Sequence, residues 1–421
     1  MCPPQSLFHS LCRALNSVVR CERGALFATI VACTLPLTPA GFGQESTQSQ
    51  PAAPPKRSGA PLAGHLSKFY DAPNPLPPGK PGELIRAKPA DDFYLSADFS
   101  AFRILYHSRS VSGQDVAVSG VVLVPDGTAP TGGWPVIAWA HGFNGVGRQC
   151  APSLLRNLYY GPFLSMYINL GYAVVATDYA GLGTDFRSAV LDAPSDATDV
   201  IYSIPAARAA VPQLGPRWVA MGSSLGANVT IGVAEMESRT RDPSYLGGVA
   251  ISGVADLKDV YERLPKEQAS RMLEFLAYSV KTVYPDFDVR DMLTEKGLAA
   301  YQQINESCGS VGSSGGQGPA SEPLKQNWKN SKFVEEFFER NSLGWAPAYG
   351  PLLVISDDGD PGTEPSISAQ AVARMCKQGD RIQFNSFSSS QPGLVIGDSV
   401  REQMSWIEAR FSGRPAPTNC P

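Results

Sequence analysis

The 421-residue chain is predicted to fold as an α/β domain on a mostly parallel sheet with helices on both faces, and three observations carry that prediction. Short apolar runs alternate with helix-length segments. The later runs are apolar throughout, as strands buried on both faces are. One of them leads straight into a turn flanked by Gly222 and Gly226 around Ser224. Strand-like runs fall at Phe102 to His107, Val116 to Val124, Pro135 to Ala140, Tyr172 to Thr177, Arg217 to Met221, Gly247 to Ile251, Leu352 to Ile355 and Arg381 to Phe384. Helical spacing marks Tyr159 to Leu170, Asp196 to Val211 and Ala227 to Met236 between them.

Residues 1–40 read as a secretory signal: Arg13, Arg20 and Arg23 precede the apolar run Gly24 to Leu37, and Thr38-Pro39-Ala40-Gly41 offers a small-residue cleavage region. Export to the periplasm or the extracellular space is expected. Pro36 and Pro39 interrupt the run, which falls short of the roughly 20 apolar residues a membrane span requires, so no transmembrane helix is expected. Ile30-Val31-Ala32-Cys33 loosely fits a lipidation box that would anchor the chain at Cys33, but an ordinary cysteine inside a removed signal is the favoured reading. Residues 41–89, rich in Pro, Ala, Gly and Ser, are expected to form a linker or a surface-hugging arm.

The core is expected in two parts, 90–253 and 344–421. Between them the βα rhythm stops, and residues 254–343 offer amphipathic helices at Arg271 to Val283 and Ser331 to Arg340 around a Gly/Ser-rich stretch, which reads as an inserted helical cap. Of eight cysteines, four lie within the first 33 residues and would leave with the signal. Cys150, Cys308, Cys376 and Cys420 remain, an even number that suggests disulfides, and three pairings are open. No CxxC pair or Cys/His cluster stands at metal-ligand spacing, so no metal is expected. A net charge of −4, without a basic stripe or interleaved aromatics, argues against a nucleic-acid partner.

The chemistry centres on Ser224. The pattern G-x-S-x-G also occurs at Gly312-Ser313-Ser314-Gly315-Gly316, so the pattern alone decides nothing. Ser314 has neither strand nor helix beside it, whereas Ser224 follows an apolar strand and precedes a helix whose N-terminus would face a developing negative charge. Ser224 is therefore the expected nucleophile. After the strand ending at Ala140 comes His141-Gly142-Phe143-Asn144; backbone N–H groups of Phe143 and Asn144, with that of Leu225, are the expected oxyanion hole. His141 is expected to shape this loop, with service as a substitute base as the alternative. The strand Leu352 to Ile355 runs into Ser356-Asp357-Asp358-Gly359-Asp360, where a catalytic carboxylate would emerge, and Asp360 is chosen over a merely solvated acidic turn. A calcium loop is excluded, because no acid stands at the twelfth position after Asp357 or Asp358.

These segments, with Cys150-Ala151-Pro152-Ser153, Gly171 to Tyr179, Gly181-Leu182-Gly183-Thr184 and Gly413 to Pro417, resemble the secretory lipase family, α/β hydrolases similar to fungal lipase A. The resemblance covers most of residues 90–421. It implies the α/β-hydrolase fold, a helical lid over the serine, extracellular hydrolysis of acyl esters or lipids without a cofactor, and the disulfide pairs Cys150 with Cys308 and Cys376 with Cys420. The chain departs from the family in two places. Ser223 and Leu225 flank the serine where the family usually has other residues, a tolerable change. More seriously, no histidine follows Ser224: where the family carries its catalytic base, this chain reads Ser388-Ser389-Ser390-Gln391-Pro392-Gly393. Gln391 occupies the base's place, and an amide cannot take the serine's proton. Two functions are therefore carried forward: an ester hydrolase with impaired or atypical catalysis, and an inactive lipase-like protein that binds lipids or acyl chains. A third, another reaction on the same fold, has no positive sign.

Overall fold

The structure is a computed structural model that describes residues 66–420 apart from 255, 264–265, 307, 309–323, 345, 360–364 and 389–393. Nine strands form one sheet in the order β1-β2-β3-β5-β4-β6-β7-β8-β9. They are β1 (Leu84–Ala90), β2 (Phe99–Arg109), β3 (Asp115–Pro125), β4 (Trp134–Ala140), β5 (Ala173–Thr177), β6 (Leu214–Ser223), β7 (Tyr245–Ile251), β8 (Leu352–Asp357) and β9 (Ile382–Phe387). The first three and β5 pair antiparallel along one side, while β5, β4, β6, β7, β8 and β9 run parallel.

The helices are α1 (Gly161–Asn169), α2 (Ala193–Ala210), α3 (Leu225–Thr240), α4 (Leu257–Arg263), α5 (Lys266–Val283), α6 (Glu295–Gln302), α7 (Lys332–Arg340), α8 (Pro365–Lys377), α9 (Val395–Asp398) and α10 (Val400–Phe411). Side chains alternate across the pleat of each strand, and β4 shows the consequence. Val136, Ala138 and Ala140 join a core with Val200 of α2, Val229 of α3 and Val372 of α8. Ile137 and Trp139 enter a second core with Leu164 and Ile168 of α1 and Ile407 of α10. With helices on both faces, a central strand has no solvent side, which is why these runs read as apolar throughout.

A third apolar cluster draws on α4 to α7: Leu276, Ala277 and Val280 of α5 and Val334 and Phe337 of α7 are all fully buried in it. Val146, Val190 and Leu191 also belong to it, and Phe143 and Leu225, beside the ends of β4 and β6, pack against it.

One part of the sequence expectation needs correction. No strand is expected before Phe102, yet β1 at Leu84–Ala90 pairs with β2, so the last residues of the 41–89 segment belong to the sheet. Earlier in the same segment Tyr70 is buried, and its hydroxyl meets Ser153. The strand escapes sequence reading because it lies at an edge: its residues are half-buried or exposed and it contains Pro89, so it shows no apolar run. Both disulfides form as the resemblance implies, joining Cys150 to Cys308 and Cys376 to Cys420. Among the described residues no helix is long and apolar enough to cross a membrane, and no cluster of His, Cys, Asp and Glu is fit to hold a metal ion.

Candidate active site

Parallel pairing brings the ends of five strands into one row: Ala140 of β4 faces Gly222 of β6, then Ala250 of β7, Val354 of β8 and Phe384 of β9. The loops that follow these strands leave the sheet on the same edge, where α/β sheets generally bind ligands. Ser224 stands there, exposed, between the end of β6 and the first residue of α3.

Its backbone is held at φ 58° and ψ −125°, outside the regions an L-residue ordinarily occupies. The strain is maintained by its neighbours. The Ser224 N–H donates to the carbonyls of Ile251 at 3.0 Å and Ser252 at 2.6 Å, and its own carbonyl accepts from Ala227 at 2.8 Å. Crowding explains the flanking glycines: a β-carbon at Gly222 would collide with the carbonyl of Gly226, and one at Gly226 with that of Ala140. Only hydrogen fits at either place. Such a turn lifts the serine hydroxyl off the sheet edge, beside the N–H groups at the start of α3, which have no partner one turn earlier.

The loop after β4 backs onto this serine. A β-carbon on Gly142 would lie 3.3 Å from Ser224 Cβ and 2.7 Å from the Tyr160 hydroxyl. The Asn144 side chain is buried and donates to the Cys150 carbonyl at 2.5 Å, and Gly145 bridges Cys308, so the loop is braced on both sides of the Cys150–Cys308 disulfide. Phe143 turns toward the helical cluster, with its ring centroid 4.6 Å from that of Phe275. His141, Gly142, Phe143, Asn144, Pro152, Tyr159 and Tyr160 line a cavity of about 200 Å³.

His141 does not face the serine. Its ring stacks on Tyr179 at 4.2 Å, Nδ1 lies 2.7 Å from the Gly142 carbonyl, and Nε2 lies 3.2 Å from the Asp178 carbonyl. Burial pulls the imidazole from its usual 6.5 down to about 4, against the opposing pull of the two carbonyls. With both ring nitrogens directed at backbone carbonyls, the residue pins the loop, and the idea that it replaces the missing base loses its geometric footing. Among the described residues, none hydrogen bonds the Ser224 hydroxyl.

Of the remaining expected residues, Asp360 and Gln391 lie outside the described residues. The neighbouring acids are visible: Asp357 is buried at the end of β8 and accepts from the Gly359 N–H at 2.9 Å, and Asp358 accepts from the hydroxyls of Ser386 and, at 2.9 Å, Ser388. β8 and β9 pair as far as Asp357 opposite Phe387.

Sequence reasoning missed a polar network behind the loop. The buried Asp178 carboxylate accepts from Ser119 Oγ at 2.7 Å, Ser153 Oγ at 2.5 Å and the Ser153 N–H at 2.9 Å. Burial raises its pKa while these hydrogen bonds pull it down. Because the Asp178 carbonyl meets His141, the network fixes the imidazole and through it the loop. Its signal was the short segments around Ser153 and Asp178, which carry the family resemblance but do not announce a contact between them.

A nine-stranded, largely parallel sheet with helices on both faces and a strained serine turn after a central strand define an α/β hydrolase. Solved structures agree: Candida antarctica lipase A superposes with a TM-score of 0.71 at 16% identity, covering 86% of this chain and 89% of that one. The rice cell wall degrading esterase LipA from Xanthomonas oryzae gives 0.67 at 16% identity, covering 79% and 98%. At such identities the likeness speaks for the fold alone. No curated protein sequence matches the chain. The family model for secretory lipase matches residues 161–419, and the chain belongs to that family.

Proposed function

We propose that this protein is an exported carboxylic-ester hydrolase of lipase type that attacks acyl esters or lipids through Ser224. The observation that carries the reading is the Ser224 turn, a strained backbone kept by steric and hydrogen-bond constraints in a place where relaxed backbone would serve folding better. In this reading the N–H groups of Leu225, Phe143 and Asn144 stabilise the oxyanion, Asp360 is the acid, and residues 254–343 cover the site as a lid. The packing of Phe143 and Leu225 into the helical cluster supports such a cover. Residues 1–40 act as the signal and the part of 41–89 that precedes β1 as an arm; two disulfides fit a protein that works outside the cytoplasm.

Catalysis is slow in this reading. Gln391 stands where the base would be, and loss of the base in a triad hydrolase lowers turnover by roughly 10⁶, while the oxyanion hole and binding still supply some 10³ to 10⁴ over water. Hydrolysis of p-nitrophenyl esters by the purified protein tests this. Weak turnover that disappears in Ser224→Ala and rises by orders of magnitude in Gln391→His supports it; turnover unaffected by Ser224→Ala contradicts it.

The second reading is a receptor for lipids or acyl chains without turnover. It is favoured by the absence of any histidine after Ser224 together with the backbone contacts that occupy His141. Stoichiometric retention of a fatty acid, with no hydrolysis of any ester, would select it.

A further inference from the structure

Tyr160 is a residue that neither the serine motif nor the oxyanion loop requires, yet its hydroxyl and Ser224 Cβ flank the same glycine, Gly142. The Gly142 β-position touches both the Tyr160 hydroxyl, at 2.7 Å, and Ser224 Cβ, at 3.3 Å, so phenol and serine border one small volume. The Gly142 backbone acts on the phenol in the sense that lowers its pKa, against the larger effect of burial. Among the described residues no side chain accepts from the Tyr160 O–H, which remains to be donated. Burial raises the phenol's pKa, so it keeps its proton at any pH where an esterase works. The ring is clamped edge-on by Trp139, with centroids 4.9 Å apart.

Two further observations point toward a ligand. The cavity of about 200 Å³ opens between Tyr160 and the His141 to Asn144 loop, so there is space beside the hydroxyl. It exceeds the roughly 150 Å³ that holds a benzene. The two residues just before Tyr160, Leu158 and Tyr159, both have positive φ, 51° and 68°. Consecutive strained non-glycine residues re-aim a chain at some energetic expense and persist where geometry matters for function.

We propose that Tyr160 is a catalytic hydrogen-bond donor to the oxyanion formed at Ser224, a side-chain member added to the backbone donors. The inference rests on the hydrolase reading above. As the Ser224 Oγ–carbon bond forms, the carbonyl π pair moves onto oxygen, the serine proton passes to solvent hydroxide to give water, and the Tyr160 O–H donates to the new oxyanion without losing its proton. Collapse of that oxyanion expels the alkoxide, which takes a proton from water. Tyr160 is neither oxidised nor deprotonated in any step.

Tyr160→Phe removes one oxygen and leaves the ring packing in place. Loss of a single oxyanion donor lowers turnover by about 10²-fold. The expected result is therefore a kcat for a p-nitrophenyl ester, and a rate of Ser224 phosphonylation by a fluorophosphonate, each reduced about that much, with KM and the melting temperature unchanged. Gly142→Ala, whose methyl group displaces the phenol, should give a similar loss. If wild-type protein is labelled at Ser224 and Tyr160→Phe is labelled within twofold of its rate, Tyr160 is not a donor and the hydrolase reading stands. If wild-type protein is inert to both ester and label, the hydrolase reading falls and this role falls with it.

Discussion

Replacing Ser224 by glycine should stabilise the protein while removing its nucleophile. Ser224 holds φ 58° and ψ −125°, a conformation closed to most side chains and open to glycine. Backbone strain of this kind amounts to roughly 1–3 kcal/mol. Glycine gives back about 0.5–1 kcal/mol through the greater freedom of the unfolded chain, which leaves a net gain of about 1 kcal/mol. The serine side chain is exposed, so its removal opens no cavity to offset that gain. Ser224→Ala is the control, because it deletes the hydroxyl but keeps the β-carbon and hence the strain. In a domain of this size the glycine variant should melt roughly 1–2 °C above the alanine variant by reversible calorimetry. Equal melting temperatures, or alanine above glycine, would refute the claim that the turn stores strain.

Two other perturbations follow from buried charge. Arg340 of α7 grips the fully buried Asp192 carboxylate at 2.7 and 3.0 Å, and Arg340→Ala would leave that charge with Ser195 and Asn341 as partners. Because Arg340 is itself 33% exposed, the loss should be nearer 2 kcal/mol than the roughly 3–5 of a wholly buried pair, measured as a lowered denaturation midpoint. Asp199 is buried and raised to about 7 by desolvation, with hydrogen bonds from Ser108 and Ala180 acting in the opposite sense. Its unfolded pKa is near 3.9, so between about pH 4 and pH 7 the folded state holds a proton the unfolded chain has released. Its contribution is therefore complete at low pH and is lost as pH rises through that window, at up to about 1.4 kcal/mol per pH unit. Asp199→Asn should flatten the fall; wild type and variant with parallel stability curves from pH 4 to 7 would contradict the assignment.

How far the sequence reached depended on whether a residue's role was local. The Ser224 turn was legible because its requirements are consecutive: an apolar strand, two glycines that tolerate no β-carbon, and a helix start. The buried parallel strands were legible because burial on both faces writes an unbroken apolar run, as in β4 and β5. β1 was not, since an edge strand with polar residues and Pro89 carries no such pattern. Tyr160 was invisible for another reason: its significance lies in contact with Gly142 across 18 positions of chain, and nothing in its neighbours' types announces it. The same holds for the Asp178 carboxylate, whose partners Ser119 and Ser153 come from separate strands and loops. His141 stood near the serine by topology, but only the structure shows both its nitrogens turned to backbone carbonyls. The disulfide pairing was out of reach of residue spacing, which left three choices, and came from the family resemblance.

The central claim is that the hydroxyl at the end of β6 reacts with acyl-like electrophiles. Incubation of the purified protein with a fluorophosphonate, followed by mass spectrometry of its peptides, tests it directly. The account predicts one phosphonyl group per chain, slowly acquired, on the peptide containing Ser224 and absent from Ser224→Ala. A folded protein that stays unlabelled over days, or that carries the label on any other residue, would contradict it.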